Sequence, residues 1–242
     1  MSERQSQLRI GLALSGGGVR AAVFHLGVLG RLAKDNLLER VTFISTVSGG
    51  SLATGLVYAA GGNRWPGSAD YLSTVQPSVR GRLTRVNIQS DIVRRFLMRP
   101  WLIPQWRANL VADSIRSCWE IDGLVCDLAT EPRWAINATT YETGRSWRFS
   151  PQRMGDYKLG YVLRPPVPIA DALAASAAFP GLIGALVLPT SSYQWVRFKS
   201  WVEPGDRAGG TTLLEDPSLG RRCLRQPRSR ALVQASRERA AR

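Results

Sequence analysis

Two glycine-rich turns, each directly behind an apolar strand, constrain this chain more than any other feature. Residues 8–14 read as a strand and run into Gly16-Gly-Gly-Val-Arg20. Residues 41–47 are β-branched and apolar, read as a second, buried strand, and run into Ser48-Gly-Gly50. Consecutive glycines behind a strand let backbone N–H groups converge on one point, which suits a phosphate or a developing oxyanion. A serine at such an elbow is pushed out of the sheet and sits at the positive end of the next helix. The pattern therefore places a nucleophile, Ser48, beside an anion-holding loop, Gly16, Gly17 and Gly18. Gly49 and Gly50 permit the tight backbone of the second turn.

The elements around these turns follow in α/β order. Residues 21–38 carry Val23, Leu26, Leu29 and Leu32 at helical spacing. Residues 51–60 read as a helix ended by Gly61-Gly62. Strand, loop, helix, strand, turn, helix argues for a parallel sheet. Residues 63–131 mix Arg, Trp and Pro and read as helices and loops, with a lid as one use for them. Residues 134–141 and 146–149 flank Glu142-Thr-Gly144 and suggest a hairpin. Residues 169–179 read as an Ala-rich helix.

Size and composition set the outer bounds. At 242 residues and 44% hydrophobic, the chain is long enough for one sizeable core and too apolar to be mostly disordered. Its three cysteines, Cys118, Cys126 and Cys223, form no C-x-x-C pair, so neither a disulfide scaffold nor a zinc site is expected. The polar start shows no apolar segment of a secretory leader. Residues 172–189 are uncharged but contain Pro180, Gly181 and Gly184, and read as helix, turn and short strand rather than a membrane span. A cytoplasmic protein, with at most peripheral contact to a membrane surface, is the expectation. The net charge is +14, and half of it comes from residues 217–242, where eight arginines face one acid, Glu238. The other half is spread over the first 216 residues; the plain reading of the tail is a basic, solvated or nucleic-acid-binding segment, but no nucleic-acid partner is expected.

The first turn also fits the loose dinucleotide pattern, as Gly16-Gly-Gly18-x-x-Ala21. That reading wants an acid at the end of the second strand, where the chain has Ser45-Thr-Val-Ser48, and it leaves the second turn unexplained. Histidine narrows the chemistry further. His25 is the single histidine, inside the first helix and before the serine, so it reads as a core or capping residue rather than a base. A serine without histidine must be activated directly by a carboxylate.

At these residues the chain resembles a bacterial patatin-like phospholipase. The resemblance rests on Ser15-Gly-Gly-Gly-Val-Arg20, Val47-Ser-Gly-Gly-Ser51, Ile136-Asn-Ala-Thr139 with Glu142-Thr-Gly144, and the run from Asp171 to Pro180. It implies a three-layer α/β/α fold with a mainly parallel central sheet, over residues 8–200. It also implies hydrolysis of lipid acyl esters by a Ser–Asp dyad, with no metal or cofactor. By that resemblance Ser48 is the nucleophile and the backbone around Gly17 and Gly18 the oxyanion hole. Arg20 matches the basic residue behind the glycines.

The family's catalytic Asp lies in a late D-G-G or D-G-A motif, and no such motif follows Pro180. Asp206 precedes Arg-Ala-Gly, Asp216 precedes Pro-Ser, and Asp122-Gly123 comes too early. Codons exist for residues 220–228 that, read one base later, spell D-G-G-V-Y-D-N-L-G. The expectation is therefore an acyl hydrolase domain over 8–200 whose C-terminal part is frameshifted or truncated. Residues 201–242 would then be a basic, unordered or out-of-frame tail. The rival is a non-catalytic remnant or lipid-binding protein.

Overall fold

The computed structural model describes residues 8–98, 103–141, 143–179, 183–198, 211–214 and 221–225. Strand β1, Ile10–Leu14, and strand β2, Val41–Thr46, pair in parallel, with Leu14 opposite Thr46. Helix α1, Gly18–Lys34, connects them and starts three residues earlier than its apolar spacing suggests. It buries Ala22, His25, Leu26, Leu29 and Ala33, whereas Val23 is 53% exposed. The spacing finds the helix, and of its apolar residues Leu26 and Leu29 are buried and Leu32 packs against the core, with Ala22 and Ala33 completing the buried face.

Beyond β2 the chain turns at Ser48 into helix α2, Gly49–Ala60, buried from Gly49 to Tyr58. A helix with no polar face must be enclosed on all sides. Helices α3, Gln76–Arg85, α4, Ile88–Met98, and α5, Ile103–Trp119, fill most of the segment read as helices and loops. Strand β3, Arg133–Thr140, then returns parallel to β2, with Thr46 opposite Ile136.

From β3 onward every pairing is antiparallel. Strand β4, Ser146–Phe149, closes the expected hairpin, and β5, Arg153–Asp156, and β6, Gly160–Leu163, continue it. Helix α6 spans Ile169–Ala177, and β7 spans Leu186–Pro189, so the two ends of the uncharged run over 172–189 are helix and strand as expected, while residues 180–182 lie outside the described residues. Strand β8, Trp195–Phe198, joins β6 and strand β9, Thr211–Leu214. Strand β10, Arg221–Arg225, pairs with β7 and with the end of β3. The class is α/β, and its parallel part is the β1–β2–β3 run that carries both glycine turns. Among the described residues, no helix is long and apolar enough to cross a membrane.

The tail differs from expectation at two places. Residues 211–214 and 221–225 have no strand-like apolar period, yet they pair in the sheet. Exposed ladder groups of β8, β7 and β3 supply the hydrogen bonds that local sequence does not demand. The rest of 201–242 lies outside the described residues.

Candidate active site

The two glycine turns meet because β1 and β2 are adjacent and end level. Val47 N–H donates to Leu14 O at 3.0 Å, which carries the ladder one residue past β2. Gly50 N–H then donates to Ser15 O at 3.1 Å and to Val47 O at 3.0 Å. A Cβ on Gly50 would land on the Leu14 carbonyl, and one on Gly49 on the Gly18 carbonyl. Neither residue has a positive φ, so glycine is required there by the approach of two backbones. Gly17 and Gly18 are glycine for the other reason, with φ of 143° and 65°. At Gly17 a Cβ would also sit 2.9 Å from Ala21 Cβ, while at Gly18 the space is open.

Ser48 itself has φ 51° and ψ −114°, a conformation side-chain-bearing residues rarely adopt. Such strain persists only where the surroundings over-determine it. Here β2 fixes one side and α2 the other, with Leu52 N–H donating to Ser48 O at 2.9 Å. The Ser48 N–H donates to Ser176 Oγ of α6 at 3.0 Å. Ser176 Oγ in turn donates to Asn137 O on β3 at 2.8 Å and lies 2.8 Å from Ser51 Oγ. Ser51 donates to Thr46 Oγ1 at 2.9 Å, and Thr46 accepts Trp134 Nε1–H at 3.0 Å. This buried polar network underlies the elbow.

Ser48, Gly17, Gly18, Val19 and Arg20 open on one cavity of about 500 Å³. Its walls are mostly apolar: Leu52 from α2, Ile88 and Ile92 from α4, Val111, Ile115 and Trp119 from α5, and Ala177 and Ile183 near the end of α6. Phe179, 57% exposed, and the exposed Arg20 sit where the cavity meets solvent. Of the residues predicted for the site, the structure brings Ser48, Gly17, Gly18 and Arg20 onto this cavity. Gly16 lies on the turn but off the wall, and Gly49 and Gly50 are buried behind Ser48.

The described wall contains no carboxylate. Asp171 of α6 faces away, with Arg116 Nη2 at 3.1 Å. Burial raises its pKa, and Arg116 only partly offsets that. Asp206, Asp216 and Gly220 lie outside the described residues, as do Glu142 and Pro180 of the quoted motifs. His25 Nε2 is 3.0 Å from Ser15 O and the residue is buried, so the ring ties the middle of α1 to the first turn as a core histidine. No group of His, Cys, Asp and Glu among the described residues is placed to hold a metal ion.

Sequence reasoning missed the cavity walls and Ser176. Ile88 with Ile92, and Val111 with Ile115, stand four residues apart, a helical signal hidden among the arginines of that segment. Ser176 is a lone hydroxyl in an otherwise apolar helix interior, and that was its available signal.

A patatin-like phospholipase family model matches residues 12–206. Among solved structures, human GIVD cytosolic phospholipase A2 is similar at TM-score 0.50 and 17% identity, over 90% of this chain and 39% of that one. The same human protein in complex with methyl gamma-linolenyl fluorophosphonate inhibitor and terbium chloride gives TM-score 0.49 and 19% identity, over 72% and 30%. The chain thus spans 30–39% of the length of these solved proteins. No curated protein matches it in sequence. With a family model aligned across most of its length, and an α/β sheet that brings both glycine turns to one cavity, the chain belongs to the patatin-like phospholipase family.

Proposed function

We propose that this chain is built as a serine hydrolase of lipid acyl esters. One observation carries the reading: a strained Ser48 elbow opens, beside the Gly17–Gly18 turn, on an apolar cavity. A cavity of this volume and lining suits an acyl chain and offers little to a nucleotide.

In the proposed reaction a carboxylate takes the proton from Ser48 Oγ as that oxygen attacks the ester carbonyl carbon. The negative charge moves to the carbonyl oxygen, where the N–H groups of Gly17 and Gly18 would hold it. The alcohol leaves with the proton and the acyl group stays on Ser48. Water, activated by the same carboxylate, releases the fatty acid. The Ser48 N–H already donates to Ser176, which leaves the first turn as the main source of oxyanion donors. Arg20 at the mouth would face an anionic head group, and contact with a membrane surface would be peripheral.

We assign that carboxylate to the aspartate of the D-G-G that permitted codons of residues 220–222 would spell one base later. A second reading, a non-catalytic lipid-binding remnant, is favoured by the absence of a carboxylate from the described cavity wall. Hydrolysis of p-nitrophenyl acyl esters, measured on this chain and on a frame-restored chain, separates the two. Turnover that appears on restoration and disappears with Ser48→Ala supports the hydrolase. Absence of turnover in both favours the remnant.

A further inference from the structure

We infer that Ser176 is a positioning residue that holds the Ser48 backbone in its strained conformation. The inference deepens the hydrolase reading and rests on it for its catalytic meaning. Ser176 lies on α6, 128 residues from Ser48, and its hydroxyl accepts the Ser48 N–H at 3.0 Å. Both residues are buried, at 0% and 5% exposure, so water cannot take over that bond. A hydroxyl carries one proton, and Ser176 donates its own to Asn137 O, with Ser51 Oγ 2.8 Å away. Its remaining capacity is as an acceptor, which is what a buried amide at the elbow requires.

The surrounding bonds fix where that acceptor sits. Asn137 O belongs to β3 and Ser51 to α2, so two elements meet the Ser176 hydroxyl directly, and Thr46 of β2 joins them through Ser51. Asn137 is itself held, donating through Nδ2 to Thr46 O and Ser45 Oγ, each at 3.0 Å. The strained residue is thus tied to the sheet on both sides of the nucleophile. An alanine at 176 removes the acceptor, strands the Ser48 N–H, and lets the elbow relax away from φ 51°.

The test is amide exchange on the full chain, read by NMR at Ser48 together with its Cα and Cβ shifts. Ser176→Ala should speed Ser48 exchange about ten- to hundredfold, the scale of one lost buried bond, and move both shifts. Ser176→Thr, which keeps the acceptor, should restore them. Ser114→Ala removes an equally buried hydroxyl, bonded to Leu110 O within α5, and should change neither. If Ser176→Ala fails to fold, Ser176→Cys, with a weaker acceptor of similar shape, should shift exchange in the same direction. In parallel, in the frame-restored chain, the rate of fluorophosphonate attachment to Ser48 should fall at least about tenfold in Ser176→Ala, matching the loss of one bond. Unchanged Ser48 exchange overturns the inference, and so does faster exchange with an unchanged labelling rate. If the frame-restored chain takes no probe at Ser48, the hydrolase reading fails, while exchange still decides whether Ser176 holds the elbow.

Discussion

The Gly18 carbonyl occupies the space that a side chain at Gly49 would need. The first glycine turn is thus the wall against which the second is built, and the two substitute differently. Gly49→Ala and Gly50→Ala drive a methyl group into backbone and should each destabilise by about 1–3 kcal/mol or more. Gly18→Ala enters open space and meets only its positive φ, at about 1–2 kcal/mol. Urea unfolding of the three variants checks the order, and Gly18→Ala proving the most damaging would contradict it.

Gly17 and Gly18 should matter more to rate than to binding. In the frame-restored chain, Gly17→Ala crowds Ala21 and turns the N–H groups of the loop. Loss of one oxyanion donor lowers kcat by about 100- to 1,000-fold. Steady-state kinetics should show that loss with KM nearly unchanged. A pure KM effect would point to a binding loop instead.

His25 should be dispensable for chemistry. Its ring reaches Ser15 O rather than the cavity wall. Loss of a general base costs about 100- to 10,000-fold. His25→Gln in the frame-restored chain should fall well short of that in kcat while lowering Tm. A hundredfold drop at unchanged Tm would make His25 a catalytic partner.

Much of this site was legible in the sequence for a simple reason. Strand, glycines and helix are local signals, and Ser48, Gly17 and Gly18 need only neighbouring residues to be recognised. Where reading failed, the cause was tertiary. Val23 shares the helical spacing of Leu26 and Leu29 yet is 53% exposed, because helical spacing alone does not report which neighbours cover a face. The cavity walls come from α2, α4, α5 and the end of α6, and no periodicity reveals which faces converge. Ser176 acquires its role from a residue 128 positions away. β9 and β10 form on ladder groups of β8, β7 and β3, which local propensity does not report.

The α4–α5 wall should depend on pH through Asp91. Burial alone would raise its pKa, but hydrogen bonds from Arg94 and Arg95, both at 2.6 Å, hold it well below the ordinary carboxylate range. Arg95 Nη2 also donates to Ser117 Oγ on α5, so the cluster bridges two cavity walls. A depressed pKa stabilises the fold above the ordinary carboxylate value of 3.8, and that stability is lost as pH falls toward the folded value. Asp91→Asn should therefore unfold more readily than wild type at pH 7, with the gap narrowing below about pH 4. A gap that is constant with pH would remove the charge from the explanation.

The central claim is that Ser48 is the nucleophile. The most direct measurement is peptide mapping by mass spectrometry after a long-chain fluorophosphonate reacts with the frame-restored chain. The account predicts one adduct, on Ser48, abolished by Ser48→Ala and retained at least in part by Ser45→Ala and Ser51→Ala. An adduct that survives Ser48→Ala, or that maps to another residue in the unsubstituted chain, would contradict it.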